Sequence, residues 1–119
     1  MKRELDKNRP ICPQICEILC VDMANGTLKS RQKIPSVREL ALLFGVNPNT
    51  VQKAFEQLEQ MGLIYSVRGS GWYVEDNTNK SHDILDSFAK EKKKVYIDQM
   101  QSLGFDKDAV LNYIKERME

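Results

Sequence analysis

The chain has 119 residues and a net charge of +1, from 18 Lys/Arg against 17 Asp/Glu. That length holds one small domain and an extension, and excludes two full domains. With 41% hydrophobic residues a compact core can form, but no apolar run is long enough to span a membrane, and no secretory signal follows Met1-Lys2-Arg3, so a cytoplasmic protein is expected.

The near-neutral charge is a weak footprint for a nucleic-acid partner. Its distribution is more informative: residues 1 to 75 hold ten basic and eight acidic residues. Any such binding depends on where a few cations point and not on bulk charge. Residues 1–9 are polar and read as an N-terminal arm with little structure of its own, in which Lys2 and Arg3 could reach phosphate.

A first helix is predicted from about Pro13 to Asn25, with Gly26 as its stop and Ile11, Ile15, Leu19 and Met23 as its buried stripe. Cys12, Cys16 and Cys20 recur every four residues along one side of it. That spacing suits no disulfide, and His82 is the sole histidine, so a metal or redox site has no further ligands to complete it. The three are read as small apolar residues beside the core. Leu28 and Ile34 flank a basic segment, Lys29-Ser30-Arg31-Gln32-Lys33, read as a solvated loop, with the alternative that its charges brush a nucleic acid.

From Ser36 to Met61 the pattern becomes specific. Val37, Leu40, Ala41 and Phe44 form one helical stripe. Ser36, with Glu39 three residues on, is a capping box, and Gly45 fits a left-handed helix end. Asn47 is a good N-cap and Pro48 a good first helical residue. Val51, Ala54, Phe55, Leu58 and Met61 then line a second stripe, ended by Gly62. A short helix, a tight turn and a longer helix form a helix-turn-helix, placed at about residues 37–56, whose second helix enters the major groove by its first turn. That turn carries Asn49, Thr50, Gln52 and Lys53, whose amides, hydroxyl and amine can read bases and hold phosphates. Polar outer faces are the rule on helices, so these residues alone fit a solvated hairpin equally well.

The following stretch favours the nucleic-acid reading. Leu63 to Val67 and Trp72 to Val74 are β-prone, and Arg68-Gly69-Ser70-Gly71 forms a glycine-rich turn between them. A hairpin directly after a recognition helix is a wing, placed at about 64–75, with Arg68 at its tip and Gly69 and Gly71 allowing close approach to a minor groove. Tyr65, Trp72 and Tyr73 are expected to pair across the hairpin.

The stretch PSVRELALLFGVNPNTVQKAFEQLEQMGLIYSVRGSGWYV resembles the winged helix-turn-helix domain of GntR-family bacterial transcription regulators over roughly residues 9 to 75. NPNTVQKAF and the short C-terminal part resemble the YtrA-type subfamily. The resemblance implies that Arg38 contacts the DNA backbone or a guanine, as its bidentate fork permits. Many relatives carry arginine where this chain has Pro48 and Gln52, so those guanine contacts are not implied here. Asn49 and Thr50 become the foremost groove-facing groups, and an A·T-containing half-site is expected. The segment before Ser36 also departs from the glycine-rich, proline-containing form common in the family.

After a polar linker, Asp76 to Lys80, Ser81 is expected to cap a fourth helix reaching about Leu103, with Leu85, Ala89, Tyr96, Met100 and Leu103 on one face. Gly104 breaks the chain, and Asp106 caps a fifth helix carrying Val110, Leu111, Ile114 and Met118. Two helices cannot bury both stripes alone, so residues 81–119 are read as a dimerisation extension that pairs with a second copy.

The expected architecture is mainly α with a small β-hairpin: a winged helix-turn-helix domain over residues 10–76 and a C-terminal two-helix hairpin. The expected function is a dimeric DNA-binding regulator, read as a repressor of a pseudo-palindromic operator, with double-stranded DNA as partner. The proposed contacts are Ser36, Arg38, Asn47, Pro48, Asn49, Thr50, Gln52, Lys53, Arg68, Gly69 and Gly71. The competing reading is a winged-helix protein-interaction module, which should present large apolar anchors where this chain places amides. No cofactor, metal or membrane partner is expected, any small-molecule effector is unidentified, and no nucleophile–base set or phosphate loop supports an enzyme.

Overall fold

The structure is a computed structural model that describes residues 4–76 and 78–118, with the backbone alone of Thr78 and Asn79. Lys2 and Arg3 lie outside the described residues. In chain order the elements are α1 (Ile11–Ala24), α2 (Val37–Phe44), α3 (Pro48–Gln60), β1 (Ile64–Val67), β2 (Gly71–Val74), α4 (Thr78–Ser102) and α5 (Lys107–Met118). The chain divides into two compact units, residues 1–85 and 86–119.

In the first unit α1 and α2 both pack on α3. Ile15, Leu19 and Met23 of α1 are buried, as are Leu40, Ala41 and Phe44 of α2 and Val51, Ala54, Phe55 and Leu58 of α3. Ile11 is only half-buried, because α1 begins there and its first turn overhangs the core. Cys16 and Cys20 join the buried set, and Cys12 is half-buried.

The turn between α2 and α3 is fixed by local chemistry. Ser36 Oγ accepts from the Glu39 amide at 3.1 Å, and the Glu39 carboxylate accepts from the Ser36 amide at 3.3 Å. Gly45 ends α2 at φ +67°, the left-handed conformation that costs glycine least. Two residues on, Asn47 Oδ1 accepts from the Asn49 amide at 2.8 Å and α3 starts at Pro48.

β1 and β2 pair antiparallel, from Ile64 opposite Val74 to Val67 opposite Gly71. Trp72 meets Phe55 edge-on with ring centroids 5.5 Å apart, which seats the hairpin on α3. Tyr65 and Tyr73 stack at 5.8 Å across the strands, as expected of a cross-strand pair. The segment read as a solvated loop before Ile34 instead runs along the outer edge of β2. Lys33 bridges Tyr73, the Ile34 amide donates to Trp72 O at 2.8 Å, and the Val74 amide donates to Gln32 O at 3.0 Å. Burial of Ile34 pulls this segment inward, and pairing covers an edge that would otherwise present bare backbone groups.

Two further expectations are corrected. Residues 6–9, read as having little structure, form a turn in which the Arg9 guanidinium meets the Asp6 carboxylate at 2.9 Å. Lys7 Nζ donates to the Phe44 and Gly45 carbonyls at 3.1 and 3.2 Å, where cations complement the end of a helix. Ser81 does not cap α4, which begins at Thr78 and so takes up most of the predicted linker. Ser81 is 1% exposed and lines a small cleft with Met23, Leu63 and Val74, where a small side chain lets the helix approach the winged domain.

In the second unit the C-terminal part of α4 and α5 are joined through Gly104, at φ +93°. Asp106 Oδ1 accepts from the Ala109 amide at 2.9 Å, the expected cap of α5. Phe105 meets Tyr113 edge-on at 5.4 Å. Val110 is buried within the unit, while Tyr96, Leu103, Leu111 and Ile114 remain exposed.

Candidate nucleic-acid interface

The first turn of α3 is open to solvent. Asn49 and Lys53 are exposed, and Thr50 and Gln52 are half-exposed. The reason is register: Val51, Ala54, Phe55 and Leu58 take the core-facing stripe, so the polar residues between them turn outward. Gln52 Nε2 donates to Glu56 Oε1 at 3.3 Å, which orients its amide along the helix. Ser36 and Asn47 are exposed too, but their side-chain oxygens already accept cap hydrogen bonds. What remains for a ligand is the Asn47 amide nitrogen and the Ser36 hydroxyl proton.

Arg38 and Pro48 line one surface cleft of about 270 Å³ together with Ala41, Leu42 and Val46. The first turn of α2 and the start of α3 are therefore brought together, as a helix-turn-helix requires. Leu42 and Leu43, 85% and 74% exposed, are large apolar residues on the outer side of α2. The first turn of α3 carries none.

At the hairpin end the Ser70 amide donates to Val67 O at 3.0 Å, closing a turn that leaves Arg68 exposed. Gly69, at φ +80°, has nothing within 4 Å of where a Cβ would stand, so its role is conformational and leaves the tip open. Ser70 Oγ and the Tyr73 hydroxyl are in hydrogen-bond contact and brace the turn. Gly71 is different, since Lys33 lies across it. Lys33 was missed as a wing residue by sequence reading. Its three-residue pairing with β2 is too short to show strand periodicity, and only the buried Ile34 beside it hinted at order.

No group of three or more His, Cys, Asp or Glu among the described residues is placed to hold a metal. Burial pushes the Cys16 and Cys20 thiols up to about 12, with neighbouring Cys12 adding to the effect at Cys16 and Glu17 to that at Cys20. Cys16 Sγ lies 3.6 Å from Ala54 O and 3.5 Å from Gln57 Oε1, so it serves as packing and a weak donor between α1 and α3. No helix among the described residues is long and apolar enough to cross a membrane.

Comparison with known proteins places this geometry. The family model "Bacterial regulatory proteins, gntR family" matches residues 13–74. The transcriptional repressor YtrA of Bacillus subtilis is 34% identical over 110 residues, covering 90% of this chain and 83% of YtrA. A GntR family transcriptional regulator from Listeria monocytogenes superimposes with a TM-score of 0.79 at 33% identity, covering 94% of this chain and 98% of that one. The DNA-binding domain of AraR, solved in complex with operator ORX1, gives a TM-score of 0.54 at 35% identity, over 62% of this chain and 90% of that one. The chain belongs to the GntR family of bacterial regulatory proteins, as a YtrA-like DNA-binding transcription regulator.

Proposed function

We propose that this protein is a cytoplasmic, homodimeric repressor that binds a pseudo-palindromic operator. The observation that carries the reading is the open first turn of α3. Asn49, Thr50, Gln52 and Lys53 are turned away from the core and unobstructed by the protein's own packing. Arg38 beside Pro48 supplies a cation where α2 meets α3, and Arg68 supplies one at the wing tip. Ser36, Asn47 and Pro48 hold these elements in place, Gly69 brings backbone close to the duplex, and Gly71 shapes the turn beneath the Lys33 stem. Two copies related by a two-fold axis would set half-site centres roughly 34 Å apart, about one helical turn of DNA.

The dimer is supported by the apolar residues left uncovered on the C-terminal hairpin. Tyr96, Ile97, Leu111 and Ile114 line a groove of about 370 Å³ with Val110 at its base. The same face from a second copy would cover it, with Leu85, Ala89, Met100 and Leu103 extending the contact. Repression is supported by the likeness to YtrA, a transcriptional repressor.

The test is selection of bound duplexes from a random pool, then titration of the selected and a scrambled duplex across salt. Tighter binding to the selected duplex, weakening as salt rises, is expected. Equal affinities, or none, would overturn the reading. In that event Leu42 and Leu43 on α2 would mark the surface for a protein partner.

A further inference from the structure

Lys33 lies thirty-five residues before the tip arginine, yet the fold carries it to the wing. It bridges Tyr73 in antiparallel register, so both side chains stand on the same outer face of the sheet. From there its stem runs toward the hairpin end. A Cβ built on Gly71 would lie 3.1 Å from Lys33 Cε and 3.9 Å from Nζ. Gly71 is the residue paired with Val67, and Val67 immediately precedes Arg68.

The charge of Lys33 is also available. It is exposed, and it forms no ion pair with any described carboxylate. Arg31, two residues earlier in the same segment, is engaged by Asp76 at 3.6 Å. Because the Lys33 stem already rests on backbone, its ammonium loses less rotamer freedom on gripping an anion than a fully free lysine would. Gly71 is what makes this possible. Any larger residue would press on the stem and would also have to adopt φ +142°.

Building on the DNA-binding reading above, we propose that Lys33 is a second phosphate-contacting cation of the wing, held at its end by the bare backbone of Gly71. The wing would then grip the duplex with two cations from separate segments, Arg68 from the turn and Lys33 from the edge strand. A phosphate contact adds affinity without sequence preference and releases a condensed counterion, so its signature is the salt slope.

The experiment compares full-length wild type, K33Q and K33R by fluorescence anisotropy on a pool-selected duplex between 50 and 200 mM salt, roughly the range in which phosphate contacts are resolved. Both protomers of the dimer lose a contact, so the log affinity against log salt slope of K33Q should be shallower by about 1.8, and a fourfold rise in salt should weaken wild type about 12-fold more than K33Q. K33R, which keeps the charge, should restore the slope, and thermal melts of K33Q should match wild type. Superimposable slopes for wild type and K33Q, with wild type salt-dependent, would overturn the role of Lys33 and leave the DNA-binding reading standing. A wild type that binds no duplex in a salt-dependent way would overturn both.

Discussion

Arg68 and Asn49 occupy different kinds of position, and their substitutions should separate. Arg68 sits on a glycine-flanked turn with no partner among described carboxylates. Arg68→Ala should weaken binding evenly across sequences and flatten the salt slope by about two units, one for each wing of the dimer, with an unchanged melting temperature. Asn49 faces outward from the first turn of α3, with its backbone N–H donating to the Asn47 side chain. Asn49→Ala should cost about 1–3 kcal/mol on the selected duplex and almost nothing on a scrambled one, in the same anisotropy assay. The cysteines give a pH test. Cys16 and Cys20 keep their protons in the native state up to about 12, whereas unfolded thiols titrate near 9.0. Below that lower value both states are protonated and stability does not change through these groups. Between the two values the unfolded chain has released protons that the native chain retains, so stability must fall as pH rises. Urea melts from pH 8 to pH 10, roughly the span in which the unfolded thiols ionise, should show that decline, and replacing both residues by Ala should reduce it.

Helix ends decide where the recognition helix points. The capping box at Ser36 and Glu39, the left-handed Gly45 and the Asn47 cap lie within twelve residues and leave the α2–α3 turn little freedom. Ser36→Ala should destabilise the protein by about 1 kcal/mol, read as a lower melting temperature. Glu39→Gln should cost less, because the amide oxygen can still accept from the Ser36 amide. The wing depends on a different kind of contact. Its two strands alone are marginal, but Trp72 leans on Phe55 and the Gln32–Ile34 segment covers the free edge of β2.

For the whole molecule, the critical question is what covers the C-terminal hairpin. Leu111 and Ile114 are each more than two-fifths exposed on α5, beside a groove floored by Val110. Replacing both by Glu should give a folded monomer in sedimentation, since neither residue is needed inside its own chain. Affinity for a duplex with two half-sites should drop far more than for one with a single half-site, because the second contact is no longer tethered. A wild type that sediments as a monomer at micromolar concentration would remove the homodimer from the reading.

Much of this protein is determined by short-range chemistry and is therefore legible in sequence. The stripe of Leu40, Ala41 and Phe44, the capping box, Gly45 and Asn47-Pro48 act within a turn or two of helix, and each appears where expected, with Val37 half-buried at the helix start. The hairpin from Ile64 to Val74 is likewise set by its own glycines and β-prone runs. The third edge of the wing was not legible, because Gln32–Ile34 is ordered by hydrogen bonds to a strand some forty residues later, and no local period announces such a contact. Nor was the engagement of Lys7 at the end of α2, nor the burial of Ser81, both long-range effects of chain segments meeting. Sequence alone thus determined which residues face outward on the recognition helix. Only tertiary structure decided that Lys33 lies along the wing, because that depends on two distant backbones lying side by side.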